Sequence, residues 1–212
     1  MTHGRLHGLT DGIFAIVMTL MVLELKLPAA ATKSNESLWH ILSSQYVVFL
    51  SYFISFAILY IYWRAHNFVV SILAKNIDIN LLNINAFFLF LVGLVPYTTH
   101  VLGVYSRTSL GITVYALNVV GIGLTLVLMR YYIERATTIE NLERTHEQRR
   151  GALIRISIPI VFSALAIPVS FINTQVAFII LLFAVFFNFH NNAADLTQTV
   201  FSGPIRVLKR FR

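Results

Sequence analysis

The sequence contains no cysteine, which excludes disulfides, thiolate metal sites and thiol chemistry. It is also short of charge. Asp, Glu, Lys and Arg make up 12% of its 212 residues, whereas water-soluble domains carry about a quarter. With 57% hydrophobic residues, this excludes a soluble globular domain and marks a polytopic, all-α membrane protein. Catalytic signatures are missing as well: there is no His-Glu-x-x-His, Gly-x-Ser-x-Gly or P-loop run. The histidines are scattered over separate apolar segments, and His190 and Asp195 are spaced five apart, off a common helix face. The reading is therefore of a protein that is not an enzyme and uses neither metal nor cofactor. No second half repeats the polar-interrupted helix pattern of secondary transporters.

What is present is a series of apolar runs. At about 20 residues per span, the length allows at most six or seven. Runs near bilayer thickness cover residues 9–27, 43–64, 79–102, 109–131, 152–171 and 174–190. Residues 1–212 thus read as a single six-helix transmembrane unit, with 132–150 as a polar helical extension of the fourth span that carries Glu140 and Arg144 four apart. Basic residues settle the orientation. Of the 16 Lys and Arg, all but Lys26, Lys33 and Arg107 fall on one side, at Arg5, Arg64, Lys75, from Arg130 to Arg155, and in the tail from Arg206 onward. The positive-inside rule then places both termini in the cytoplasm and makes the number of spans even. The net charge of +7 accordingly reflects topology rather than nucleic-acid binding, with anionic lipid head groups as the alternative partner.

The first span is unusual because it carries Asp11, Thr19 and Glu24. Ionisable groups at membrane depth are costly and mark conducting or binding pathways. A signal peptide would explain a basic start, an apolar run and the small residues after Pro28, but Asp11, Glu24 and Lys26 argue against it. Asn35, Glu36 and Ser37 form a glycosylation sequon, relevant only in a eukaryotic secretory pathway. At 3.6 residues per turn, Ile16, Leu20, Leu23 and Leu27 fall on one stripe with Thr19 at its edge. Asp11 lies on roughly the opposite face, directed into the helix bundle. Glu24 sits to the side near the outer end, where it either attracts cations or reaches interfacial water. Gly4, Gly8 and Gly12 make a small-residue ladder that permits close helix approach. A carboxylate at depth needs donors. With spans two and three antiparallel, Trp63, His66 and Asn85 come level with Asp11, as does Arg5, although six residues set Arg5 about 120° from Asp11 around the helix.

These residues carry a family resemblance. Arg5-x-x-x-Leu9-Thr10-Asp11, then Thr19, Glu24, Trp63-x-x-His66, Asn85-x-x-Phe88 and Pro96, resemble in order the signature of the endosomal/lysosomal potassium channel family of the transmembrane protein 175 type. Leu9 and Thr10 depart from the family's Phe and Ser. The resemblance covers spans one to three well and the rest mainly by hydropathy. It implies a potassium-permeable pore lined by the first helix and lacking a carbonyl filter; this chain likewise has no Thr-Val-Gly-Tyr-Gly run. Carried over by position, Ile16 matches the hydrophobic constriction, Leu20 and Leu23 match the next layers outward, and Thr19 matches a threonine beside the constriction. Arg5, Asp11, Trp63, His66 and Asn85 match a network that fixes the pore helix. One copy of the signature implies a homotetramer, multi-pass in the cell membrane if the source is prokaryotic. The competing reading is a proton-conducting route through Asp11, His66 or Glu24, with a secondary transporter behind it.

Overall fold

The computed structural model describes residues 3–26, 34–73, 77–136 and 146–188. Its helices are α1 (His3–Leu20), extended by a 3₁₀ turn at Met21–Glu24, α2 (Asn35–Ser44), α3 (Tyr46–Asn67), extended by a π-helical turn at Phe68–Leu73, α4 (Ile79–Gly93), α5 (Val95–Val104), α6 (Ser109–Arg135) and α7 (His146–Ser170). A last helix, α8, spans Thr174–Asn188. Short polar residues start several of them in the way helix N-termini require. Ser34 accepts from Ser37 N–H, Asp78 from Leu81 N–H, Thr108 from Gly111 N–H, and Asn173 from Gln175 N–H. Each cap satisfies a backbone donor that the helix itself leaves open.

Four stretches among the described residues are long and apolar enough to cross a membrane: Gly4–Glu24, Tyr46–Val70, Ile79–Val104 and Ser109–Arg135. Ile156–Ser170 and Thr174–Asn188 are apolar but shorter. The expected bounds shift for local reasons. The first helix begins at His3 rather than Leu9, since polar residues ahead of an apolar run still take helical dihedrals. The third run breaks at Leu94, because Pro96 in the first turn of α5 has no N–H to continue the ladder. In the proposed 132–150 extension α6 runs on to Arg135, and the Glu140–Arg144 pair lies outside the described residues, as do Leu27, Pro28, His190 and Asp195.

The core is organised on α6, which packs against α4, α5 and α7. Over half of its apolar window is buried (56%), twice the share in α1 (28%). Polar bonds cross-link the interior: Ser55 Oγ donates to Tyr115 Oη at 3.0 Å, Tyr62 Oη to the Val119 carbonyl at 2.9 Å, and Asn118 Nδ2 to Thr98 Oγ1 at 3.1 Å. Such bonds contribute modestly, roughly 0.6 kcal/mol each in a membrane bundle. Arg130, grouped in the sequence with the basic surface residues, is instead buried in α6, where its Nε donates to Glu134 Oε1 one turn on at 3.1 Å. A long guanidinium stem covers apolar surface while its head takes an i, i+4 partner.

Helix α6 can follow α5 so closely only because residue 111 is glycine. A Cβ there would stand 2.4 Å from the Tyr105 carbonyl oxygen, a backbone atom that cannot swing aside. Gly111→Ala is expected to destabilise the protein by about 1–3 kcal/mol, as overpacking does. The check is the thermal unfolding midpoint in detergent, and an unchanged midpoint would refute the close approach.

Candidate permeation site

Helix α1 meets the bundle along Leu6, Thr10, Phe14, Val17 and Met21, all buried. The rest of its circumference is open. Ile16, Leu20 and Leu23 are 58%, 47% and 60% exposed, as is Leu9 nearby at 47%. In a single protomer, four large apolar side chains on one helix therefore face away from their own bundle. Beside them run Gly4, Gly8 and Gly12, and nothing lies within 4 Å of a Cβ built on any of the three. Thr19 shares this open side. Its hydroxyl turns back into its own helix, reaching the carbonyls of Ala15 at 2.8 Å and Ile16 at 2.9 Å.

Three helices converge near the Arg5 end of α1, and each supplies a pair of residues three apart. Trp63 Nε1 donates to Asp11 Oδ1 at 2.8 Å, joining α3 to α1. His66 Nε2 lies 2.6 Å from Asn85 Oδ1, joining α3 to α4. The His66 ring also stacks on Phe88 at 5.0 Å, and Phe88 meets Phe14 at 5.9 Å, returning to α1. Spacing of three puts each pair on one helix face, so Asp11 with Phe14, Trp63 with His66, and Asn85 with Phe88 close a ring around the three-helix junction. Half of that ring is polar and half is aromatic packing. Phe88 already stands in the Asn85-x-x-Phe88 part of the family signature, whereas Phe14, an apolar aromatic in an apolar span, carries no sequence signal of its own.

Two placements differ from the sequence reading. Asp11 is exposed at the flank of α1 rather than directed into the bundle, because the buried stripe passes through Thr10 and Phe14. Arg5 is exposed as well and takes no part in the ring; the angle between positions 5 and 11 on a straight helix keeps the two apart. At the other end of α1, Glu24 Oε2 lies 2.6 Å from Nδ1 of His100 on α5. Its carboxylate therefore has a neighbour that the sequence did not single out. Helix α1 is thus held at both ends by polar contacts to other helices, while its middle presents apolar side chains outward.

Trp63→Phe removes the indole donor and leaves the ring. About 1.5 kcal/mol of stability should be lost, the lower end for a hydrogen bond to a charged group because Asp11 is exposed. Asp11→Asn in the Trp63→Phe background should then cost nothing further. Unfolding of the single and double variants in detergent checks this, and additive losses would show that the two residues act separately.

The family pattern described as "Endosomal/lysosomal potassium channel TMEM175" matches residues 5–96, the stretch that holds α1, the ring and the helix break. A potassium channel of Chryseobacterium sp. (strain P1-3) is 30% identical over 184 residues, covering 84% of this chain and 87% of that protein. A potassium channel of Streptomyces collinus is 28% identical over 174 residues, covering 80% of this chain and 83% of the relative. The crystal structure of a lysosomal potassium-selective channel TMEM175 homolog from Chamaesiphon minutus superposes with a TM-score of 0.74 at 25% identity, over 90% of this chain and 98% of that one. With its apolar helices, the chain is an integral, multi-pass membrane protein. It belongs to the family of the endosomal/lysosomal potassium channel TMEM175.

Proposed function

We propose that the chain is a potassium-permeable cation channel in which four copies place α1 around a central axis. The observation that carries this reading is the open face of α1: Ile16, Leu20 and Leu23 exposed beside a glycine ladder with empty space before it. Lipid could cover apolar side chains alone, but the small-residue ladder beside them suits close approach by another helix, and a ring of four copies closes the face. Ile16 forms the narrowest layer, Leu20 and Leu23 line the next turns outward, and Thr19 sits between. Ions are impeded there because they must shed water without gaining ligands. Selectivity arises from pore size and hydration, since the chain has no carbonyl filter sequence. Asp11, Trp63, His66 and Asn85 fix the helix at the cytoplasmic end, and Glu24 with His100 fixes it at the outer end.

The six apolar helices each cross the membrane, with both termini cytoplasmic, as the distribution of Lys and Arg supports. In a prokaryotic source the channel sits in the cell membrane. The names of the relatives support potassium as the permeant ion. The test is flux from liposomes holding purified protein, with potassium and sodium measured side by side and a pure pH gradient as the third arm. Potassium flux exceeding sodium is expected. Flux under the pH gradient alone, with none of potassium, would overturn the reading in favour of a proton route.

A further inference from the structure

We propose that α2 is an interfacial anchor that lies in the head-group boundary of the lipid bilayer at the Glu24 end of the bundle. At 100° per residue, Ile41, Leu38, Leu42 and Trp39 occupy an arc of about 160° on this helix. Glu36, Ser37, His40, Ser43 and Ser44 occupy the remainder, and only Asn35, the first residue of the helix, is polar within the apolar arc. No residue of α2 is buried; Leu38 is 46% exposed and Trp39 72%. An amphipathic helix with Leu38 and Trp39 exposed, Ile41 and Leu42 half-buried on the same face and a polar opposite face has the composition of a helix lying in a membrane interface.

Its position fits the same occupant. Only Gln45 separates α2 from α3, and a ψ of 9° there departs from helical geometry, so α3 starts on a new course at Tyr46. The Gln45 side chain donates to the Lys26 carbonyl at 2.9 Å, pinning the joint to the end of the α1 span. Glu24 with His100, and Gly103, where an added Cβ would stand 3.4 Å from Val48 Cα, bring the end of α5 to this level too. Three spans therefore end together at the joint where α2 ends and α3 begins. The stretch Tyr46–Val70 has 25 residues, about 37 Å of helix against a hydrocarbon thickness of about 30 Å, so its Tyr46 end reaches the head groups. Directly after the joint, α3 carries a stripe of exposed aromatics at Tyr46, Phe49 and Phe53. Exposed aromatic side chains thus flank the joint on both helices, and lipid is the partner that covers both. The proposal does not depend on which ion the protein conducts.

The sequence makes the test clean, since it has only two tryptophans, Trp39 and Trp63, and no cysteine. Wild type and Trp39→Phe are reconstituted in phosphatidylcholine vesicles brominated at shallow or deep acyl carbons, and iodide is added on both sides. The fluorescence lost in Trp39→Phe is expected to be quenched several-fold more by shallow than by deep bromine, and only weakly by iodide. Nitroxides on Leu38→Cys and His40→Cys give an independent reading, the first accessible to oxygen and the second to a water-soluble relaxant. Strong iodide quenching of Trp39, or equal aqueous access at both labels, would overturn the anchor. So would shielding of Trp39 from bromine and iodide alike, which would mean that another copy of the chain covers the face.

Discussion

Ile16→Asn is expected to raise cation flux through reconstituted protein by about tenfold or more and to blunt the preference for potassium over sodium. Tenfold corresponds to a barrier lowered by only about 1.4 kcal/mol, a small demand on a layer whose resistance comes from the lack of ion ligands. Four amides on the axis would let hydrated ions approach and water persist. The folding side of the comparison is favourable. Ile16 is 58% exposed in the protomer, so the substitution removes little packing within one chain, and surface changes of this kind usually stay within about 0.5 kcal/mol. A change in flux then reports on the pore rather than on the amount of folded protein. Wild-type flux with wild-type selectivity would sink the assignment of Ile16 as the constriction. Leu23→Asn is a useful companion. It lies on the same open face but farther along α1, and should raise flux less if the narrow layer is at Ile16.

The apolar runs disclosed the long helices because only helices and closed barrels satisfy the backbone in lipid and runs of about 20 residues suit helices, so hydropathy and length read them with little help from propensity. Contacts set by polar groups at depth were partly legible. Trp63, His66 and Asn85 stand out in apolar surroundings, and the antiparallel course of two successive spans brings His66 to Asn85. Contacts between a polar group and a distant partner were not legible. Glu24 marked itself, but nothing in the sequence selects His100 over the other histidines, since their meeting depends on the turn at Leu94 and the packing of α5. The burial of Arg130 was hidden for a related reason. An arginine at a span end reads as a surface charge until the neighbouring helices show that its stem is covered. Helix α2 was missed because it is too short and too polar on one side to register as a span. Which face of α1 is open could be drawn on a wheel but not decided by one; the buried stripe through Phe14 and Met21 decides it.

The glycine ladder yields the other large effect. Gly12→Leu should leave the protomer folded and break the proposed tetramer. Within one chain nothing lies within 4 Å of a Cβ at this position, or at Gly4 or Gly8, so a side chain there starts out in open space. Leucine is also the better helix former by roughly 0.8 kcal/mol, which favours α1 itself. If a neighbouring copy approaches here, its backbone must sit where the leucine would go, and small-residue interfaces in membranes depend on that close approach. Tetramer recovery should fall by about tenfold or more, equivalent to about 1.4 kcal/mol of lost association, while helical content by circular dichroism stays at the wild-type level. Mass in detergent and flux in liposomes should fall together, because a channel on a symmetry axis vanishes with the assembly. A Gly12→Leu protein that kept wild-type mass and flux would place the ladder against lipid. The open face of α1 would then need another explanation, and the central-pore reading would fail with it.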